Sequence, residues 1–324
     1  MTKKRVVLLT VLMTAVFFVI LMLLPESIVG AGAGNKLFFA VKAIFLSLTA
    51  AVAVAIVLLF IFKREYVHIQ LATFNRFKYL LRFMVRRDFI ARYRKSVLGV
   101  LWSLLNPLLT MLVMTIVFSY LFRNNIANFP VYLLSGQLIF GFFNESTTQA
   151  MHSVVGSEGI IQKVYVPKYI FPVSKVLSSL INVLFSFIAL LFVIIVTRAP
   201  FHITMLLIPI PLIYIFVFSL GVSMLLSAMA VFFRDLNYLW NIFTLMLMYL
   251  TPLFYPVTIL PAWLSPYMGL NPLYHFVDYF RALVMRGQVP VLWENIVCIG
   301  FALASLCLGT YVFMSKQERF ILSL

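Results

Sequence analysis

Long apolar runs alternate with short polar segments along the whole of this 324-residue chain. Past residue 97 six runs follow one another, at roughly 101–122, 130–150, 173–197, 203–232, 238–256 and 291–314. A helix needs about 20 apolar residues to cross a hydrocarbon core of about 30 Å, and these runs are read as six spans. Two more apolar runs come first, one within Met1–Pro25 and one from Leu37 to Phe62, joined by the small-residue stretch Ala31-Gly-Ala-Gly34. The first run follows Lys3-Lys4-Arg5 and so also fits a secretory signal, with the small residues leaving cleavage open. Its length, and the second run directly behind it, favour a retained helical hairpin with an external turn.

The polar stretch from Lys63 to Lys95 has a different period. Phe74, Phe77, Leu81 and Met84 recur at helical spacing, while Lys78, Arg82 and Arg86 recur every four residues on another face. Such a pattern predicts an amphipathic helix lying in the membrane interface. A solvated linker would not need the aromatic stripe. The expected architecture is therefore an all-α polytopic membrane protein in three parts: a transmembrane hairpin (1–65), an amphipathic interfacial helix (66–96) and a six-span domain (97–324).

Composition strengthens this reading. Charged residues make up 10% of the chain and hydrophobic ones 64%, where a soluble domain carries about 25% charged. The net charge of +16 does not point to nucleic acid, because the basic residues flank apolar runs and form no domain of their own. With both termini inside, 19 of the 25 Lys and Arg residues fall in cytoplasmic segments and five outside, with Lys42 inside a span. That imbalance fixes the orientation. Trp102 and Trp240 fall near inner ends and Trp263 and Trp293 near outer ends, as indole prefers. Cys298 and Cys307, nine residues apart in one run, imply neither a disulfide framework nor a metal site.

Two connections carry more pattern than a simple turn. Inside, His152–Pro172 contains a short half-apolar helix, too polar to cross and too apolar to float free, broken by Pro167 and Pro172. Outside, Pro256–Val289 places Pro256, Pro261, Pro266 and Pro272 among apolar residues, which fits short helices dipping back into the outer leaflet. Asn106-Pro107, Pro209/Pro211 and Thr251-Pro252 mark expected bends. Glu145 is the acidic residue expected within a span. An intramembrane carboxylate is a functional candidate by default, although a packed or interface-facing residue is the simpler reading.

The chain holds no G-x-x-x-x-G-K-[ST] loop, no H-E-x-x-H and no Cys/His cluster with metal-ligand spacing. No catalytic residue, cofactor or metal is expected. Any energy from ATP must reach it through a partner.

Four motifs carry a family resemblance: Arg87-Asp88-(x)3-Arg92-Tyr-Arg-x-Ser-x-Leu-Gly-x-Leu-Trp102-(x)3-Asn106-Pro107, Lys163-Val-Tyr165-x-Pro167-Lys168-(x)3-Pro172, Phe233-Arg234-Asp235 and Asn271-Pro272. In order and spacing they resemble the permease subunit of bacterial polysaccharide, O-antigen and teichoic-acid ABC exporters, from about Tyr66 to the C-terminus. The resemblance implies six core helices per subunit in the cytoplasmic membrane, a homodimer enclosing the path, and a separate ATPase on the cytoplasmic face. It further implies a lipid-linked glycan or polyol-phosphate substrate. The first two spans, residues 6–62, depart from the minimal family pattern.

On this reading the interfacial helix, with Lys78, Arg82, Arg86, Arg87, Asp88 and Arg92, and the loop residues Ser157, Glu158, Ile161, Lys163, Tyr165, Pro167 and Lys168 contact the ATPase. The external proline-rich segment forms a gate region. Phe118, Tyr120, Tyr249, Phe254 and Tyr255, late in two outward-running helices, are the expected pore lining, because aromatic faces stack on sugar rings. Two alternatives stand beside it. A membrane glycosyltransferase or lipid-phosphate enzyme would need positioned acids and bases, and the outer face offers chiefly Glu26, Asp278 and Glu294. An assembly factor would use the extra hairpin.

Overall fold

The computed structural model describes residues 64–94, 96–121, 126–259 and 265–320, and of residues 64–75, 119–121 and 265–267 the backbone only. The expected N-terminal hairpin lies outside the described residues. The amphipathic pattern becomes one 30-residue helix, α1 (Arg64–Tyr93). The apolar runs become α2 (Trp102–Leu121), α3 (Phe129–Met151), α5 (Ile170–Val196), α6 (Pro209–Ala230), α7 (Leu236–Leu250) and α9 (Leu292–Lys316). Two shorter helices sit in the connections, α4 (Glu158–Ile161) inside and α8 (Pro272–Arg281) outside.

Among the described residues, four segments are long and apolar enough to cross a membrane: Gly99–Phe118, Ile170–Val196, Ile203–Ala230 and Leu292–Arg319. The other two expected spans fall short for different reasons. α3 has the length, but Ser135, Gln137, Asn144, Glu145, Ser146 and Thr147 dilute its apolar character. α7 has only 15 residues, about 22 Å of helix, because the chain turns extended at Thr251 before Pro252.

The prolines separate by position. Pro130 and Pro209 stand in the first turns of α3 and α6, where the missing N–H has no intrahelical partner to lose. Of the three expected bends, the one at Pro107 lies past the first turn of its helix, whereas Pro209 and Pro211 both fall in the first turn of α6. Pro272 opens α8, and the preceding Asn271 caps it by accepting from the Leu273 N–H at 3.0 Å; this explains the Asn-Pro pair.

α3 is the central helix, packed against α2, α5, α6 and α8, and its buried Phe140, Phe142 and Phe143 anchor the main core. The tightest pair is α6 with α9. There Gly221 faces Gly309 so closely that a Cβ on Gly309 would overlap the Gly221 carbonyl, the close approach that small residues permit between membrane helices. A second apolar cluster lies at the end that the charge distribution assigns to the cytoplasm. Leu81 and Met84 of α1 are buried in it with Ile161, Val166, Phe171, Met224 and Phe313. The stripe expected to face lipid thus packs in part against the chain's own bundle.

Candidate functional site

A cleft of about 730 Å³ opens between α2, α3 and α5. Its walls are built by helical repetition: Ser103, Asn106 and Thr110 on α2, Gln137, Gly141, Asn144 and Glu145 on α3, Asn182 and Ser186 on α5. Residues three, four and seven apart share a face, so each helix turns one small polar stripe into the same space. Ser103 donates to the Val100 carbonyl just before α2, and Ser186 to the Asn182 carbonyl within α5. The side chains of Asn106, Thr110, Gln137 and Asn144 make no hydrogen bond among the described residues. An unsatisfied amide in hydrocarbon costs several kcal/mol, so this cleft is built to hold water or a hydrogen-bonding ligand.

At its cytoplasmic end the helices are cross-linked by charge. One oxygen of Glu145, Oε1, accepts from Arg92 Nη1 at 2.6 Å, Asn182 Nδ2 at 2.6 Å and Gln149 Nε2 at 2.9 Å. Tyr93 donates its hydroxyl to Asn182 Oδ1 at 3.2 Å. Two turns nearer the cytoplasm on α5, Lys175 pairs with Asp88 at 2.7 Å, and Arg87 reaches the other Asp88 oxygen at 3.2 Å. α1 is therefore pinned to α3 and α5 along its C-terminal half.

The outer end is held differently. Arg281, at the end of α8, is 6% exposed. It donates to the carbonyls of Pro252 (2.7 Å), Tyr132 (2.9 Å) and Leu253 (3.1 Å) and to Ser135 Oγ (3.4 Å). Its guanidinium carbon lies 3.4 Å from the centre of the Tyr132 ring. Gly136 leaves the room: a Cβ there would meet Arg281 Nη2 at 2.7 Å. Tyr132 in turn donates to the Pro252 and Tyr255 carbonyls, and Asn271 donates to Thr251 Oγ1 at 2.9 Å. The extended segment after α7 is thus fastened to α3 and α8.

The expected pore aromatics divide around this frame. Phe254 lines the cleft and stacks on Phe118 with ring centres 5.7 Å apart. Tyr255 donates to the Tyr249 carbonyl at 2.6 Å, and neither tyrosine is among the cleft residues; Tyr249 faces outward from the bundle. The Tyr120 side chain lies outside the described residues. The amide and hydroxyl stripes were not singled out in the sequence, where three- and four-residue spacing of Ser, Asn, Thr and Gln inside apolar runs was the available signal.

On the cytoplasmic face, Lys78, Arg82, Arg86, Arg87 and Arg92 are exposed, whereas Asp88 turns towards α5. Of the loop residues, Ile161 is buried in the second apolar cluster, with α1. Lys168 also turns inward: Nζ donates to the Gln317 carbonyl and lies 5.7 Å from the Phe320 ring centre. Burial draws its ammonium below the ordinary value, against the pull of Glu318. Glu158 accepts from Gln162 Nε2 at 2.9 Å, and Ser157 and Pro167 are half-buried. Lys163 is exposed and Tyr165 stands 95% exposed. Beside them a cavity of about 240 Å³ runs between Met151–Glu158 and Ala230–Asn237, with Arg234 on its wall.

The model of the ABC-2 type transporter family matches residues 79–285, well over half of the chain and all of the cleft. The chain belongs to this family. Within it, the chain is similar to the O-antigen export system permease protein RfbA of Klebsiella pneumoniae, 29% identical over 243 residues that cover 74% of this chain and 93% of that protein. RfbA of Myxococcus xanthus is 28% identical over 250 residues, 76% and 95% of the two chains. The polysialic acid transport protein KpsM of Escherichia coli is 22% identical over 240 residues, 73% and 93%. As an ABC-2 type transporter this chain is an integral membrane permease, not an enzyme, and the family implies a partner ATPase. Among the described residues the enzyme alternative also lacks a pair of free carboxylates at the outer face, since Asp278 is held by Arg286 at 2.9 Å.

Proposed function

We propose that this ABC-2 permease exports a lipid-linked polysaccharide or teichoic-acid-type polymer across the bacterial cytoplasmic membrane. It works as a homodimer, with a separate ATPase docked on each cytoplasmic face. The cleft carries the reading: the side chains of Asn106, Thr110, Gln137 and Asn144, without hydrogen-bond partners among the described residues, line a space inside an otherwise apolar bundle. Sugar hydroxyls are both donors and acceptors and satisfy such groups, as bare ions or hydrocarbon would not. The names of the relatives, O-antigen and polysialic acid systems, supply the polymer class. Phe118 and Phe254 add a stacking surface at the outer end, and the external proline-rich segment that begins at Pro256 supplies the gate region.

The docking reading rests on exposure. Lys163, Val164 and Tyr165 project from the loop between α3 and α5 while Ile161 and Val166 anchor it, so a push on the exposed residues must reach both helices. Lys78, Arg82 and Arg86 extend the same face along α1. Deletion of the gene tests the export reading. Surface polymer is expected to vanish and lipid-linked polymer to accumulate inside, with both restored by a plasmid copy; unchanged surface polymer in the deletion strain overturns the proposal.

A further inference from the structure

Three donors from three helices converge on the single oxygen Glu145 Oε1, all within 2.9 Å. This is the coordination of a bound oxyanion, supplied here by the chain's own carboxylate. Glu145 lies on the cleft wall with Arg92 and Asn182, so two of the three donors that hold it face space a ligand can enter. Asn182 is 7% exposed and is oriented by the Tyr93 hydroxyl, so its Nδ2 is fixed in place before any ligand arrives. Arg92 and Glu145 each keep 30% side-chain exposure, and the second Glu145 oxygen makes no hydrogen bond among the described residues. The carboxylate can therefore swing into water without breaking anything else.

We propose that this is a phosphate site with a resident gatekeeper. The phosphate of a lipid-carried molecule takes the slot formed by Arg92, Asn182 and Gln149 and displaces Glu145 towards solvent. This inference rests on the export reading and adds the group recognised at the cytoplasmic mouth. A phosphate has more acceptor oxygens than a carboxylate, and Arg binds it through two parallel N–H bonds. Glu145 excludes weaker anions, because any entrant must outcompete a tethered carboxylate. Displacement also removes the bond tying α1 to α3, so recognition and loosening of the mouth are one event. Exposed Arg86, Arg87 and Arg94 on the same helix end draw anions to the site. Asp88 does not compete for Arg92, since it is engaged by Lys175 and Arg87.

Binding to the full chain in nanodiscs tests this, with polyprenyl phosphate, the uncharged polyprenol and inorganic pyrophosphate as probes. Glu145→Gln keeps an acceptor but removes the charge, and is expected to tighten polyprenyl phosphate binding about tenfold; Arg92→Ala and Asn182→Ala weaken it about tenfold, the size of a charge-assisted hydrogen bond. Arg92→Lys, which preserves the charge and controls for folding, retains most of the binding. Polyprenol binding stays the same in every variant. Competition by pyrophosphate identifies the anion alone as sufficient; its failure to compete, with the Arg92 effect intact, identifies a membrane-held headgroup. Equal polyprenyl phosphate binding by wild type, Glu145→Gln and Arg92→Ala, or parallel changes in polyprenol binding, overturns the site. A chain that binds the phosphate through Arg92 while its deletion leaves surface polymer intact refutes the export reading and not the slot.

Discussion

The two ends of the cleft are held by opposite kinds of joint. At the cytoplasmic mouth Arg92, Glu145, Asp88 and Lys175 form ion pairs whose side chains remain 12–30% exposed. Water can replace each partner there, and partly exposed pairs contribute only about 0–1 kcal/mol each. At the outer end Arg281 has no carboxylate partner among its hydrogen bonds, but four neutral acceptors and an aromatic face enclose it. No water can take over those bonds. The first joint opens at little cost and the second does not, so motion during transport is expected in α1 and the inner ends of α3 and α5. The segment joining α7 to α8 moves as one body with α3.

Arg281 gives the severest test of that contrast. Arg281→Met removes four hydrogen bonds from a charged donor, each worth about 1.5–3 kcal/mol, and strands the Leu253 carbonyl, while those of Pro252 and Tyr132 keep the Tyr132 and Ser135 hydroxyls. A loss of more than ~3 kcal/mol is expected, read as a collapse in the thermal stability and yield of the solubilised protein. Arg281→Lys recovers little, because an ammonium lacks the planar fork that spans several acceptors. A stable Arg281→Met variant would show that the outer joint is as replaceable as the inner one. Gly309→Ala comes next. Its methyl would enter the Gly221 carbonyl, forcing α6 and α9 apart at a cost of about 1–3 kcal/mol without touching the cleft.

These expectations also mark what could be read from the sequence. Apolar period and length placed α3 and α5 to within a few residues, 130–150 against Phe129–Met151 and 173–197 against Ile170–Val196. They overran α7, because Leu253 and Phe254 continue the apolar run after the backbone has already turned extended at Thr251. The stripe Phe77, Leu81 and Met84 was legible as a buried face, but not that α5, α6 and α9 would cover part of it, since a period gives the direction of a face and not its partner. Arg281 counted only as an external positive charge; its acceptors lie 28 to 149 residues away in the chain. Glu145 stood out by being charged inside a span, while the donors around it come from α1, α3 and α5 and meet only in the folded chain.

Changes in the cleft are expected to separate stability from transport. Asn106→Leu with Gln137→Leu removes two amides that have no hydrogen-bond partner among the described residues, so folding stability stays within about 0.5 kcal/mol of the parent or rises. Polymer export falls severalfold in the same variant, because the lining no longer offers hydrogen bonds to sugar hydroxyls. Surface polymer measured beside the melting temperature decides it, and unaltered export would place the path elsewhere in the bundle. At the mouth, Glu145→Gln is expected to cost less than about 1 kcal/mol yet to speed hydrogen exchange along the last turns of α1. Salt should have the same effect on the parent chain, because these pairs are reached by counterions. Unchanged exchange would mean that apolar contacts of Leu81 and Met84, and not charge, hold the mouth shut.

The smallest effect on the fold is expected at Tyr165. Its ring is 95% exposed and makes no hydrogen bond among the described residues, so Tyr165→Ala leaves stability within about 0.5 kcal/mol of the parent. An exposed aromatic between Val164 and the buried Val166, next to exposed Lys163, nevertheless has the character of an interface anchor, and truncation of such anchors costs about 2 kcal/mol or more of binding. Association with the partner ATPase should weaken correspondingly, and Lys163→Glu should add to it by setting a negative charge on the same face. Lys168→Glu should differ. It strips the Gln317 carbonyl of its donor and places a carboxylate beside Glu318, so the C-terminal turn loosens and stability falls as well as coupling. Pull-down of the ATPase and thermal stability, measured together on the three variants, separate a docking residue from an internal strut; equal losses of stability in all three would mean that the loop is a single structural unit with no dedicated contact surface.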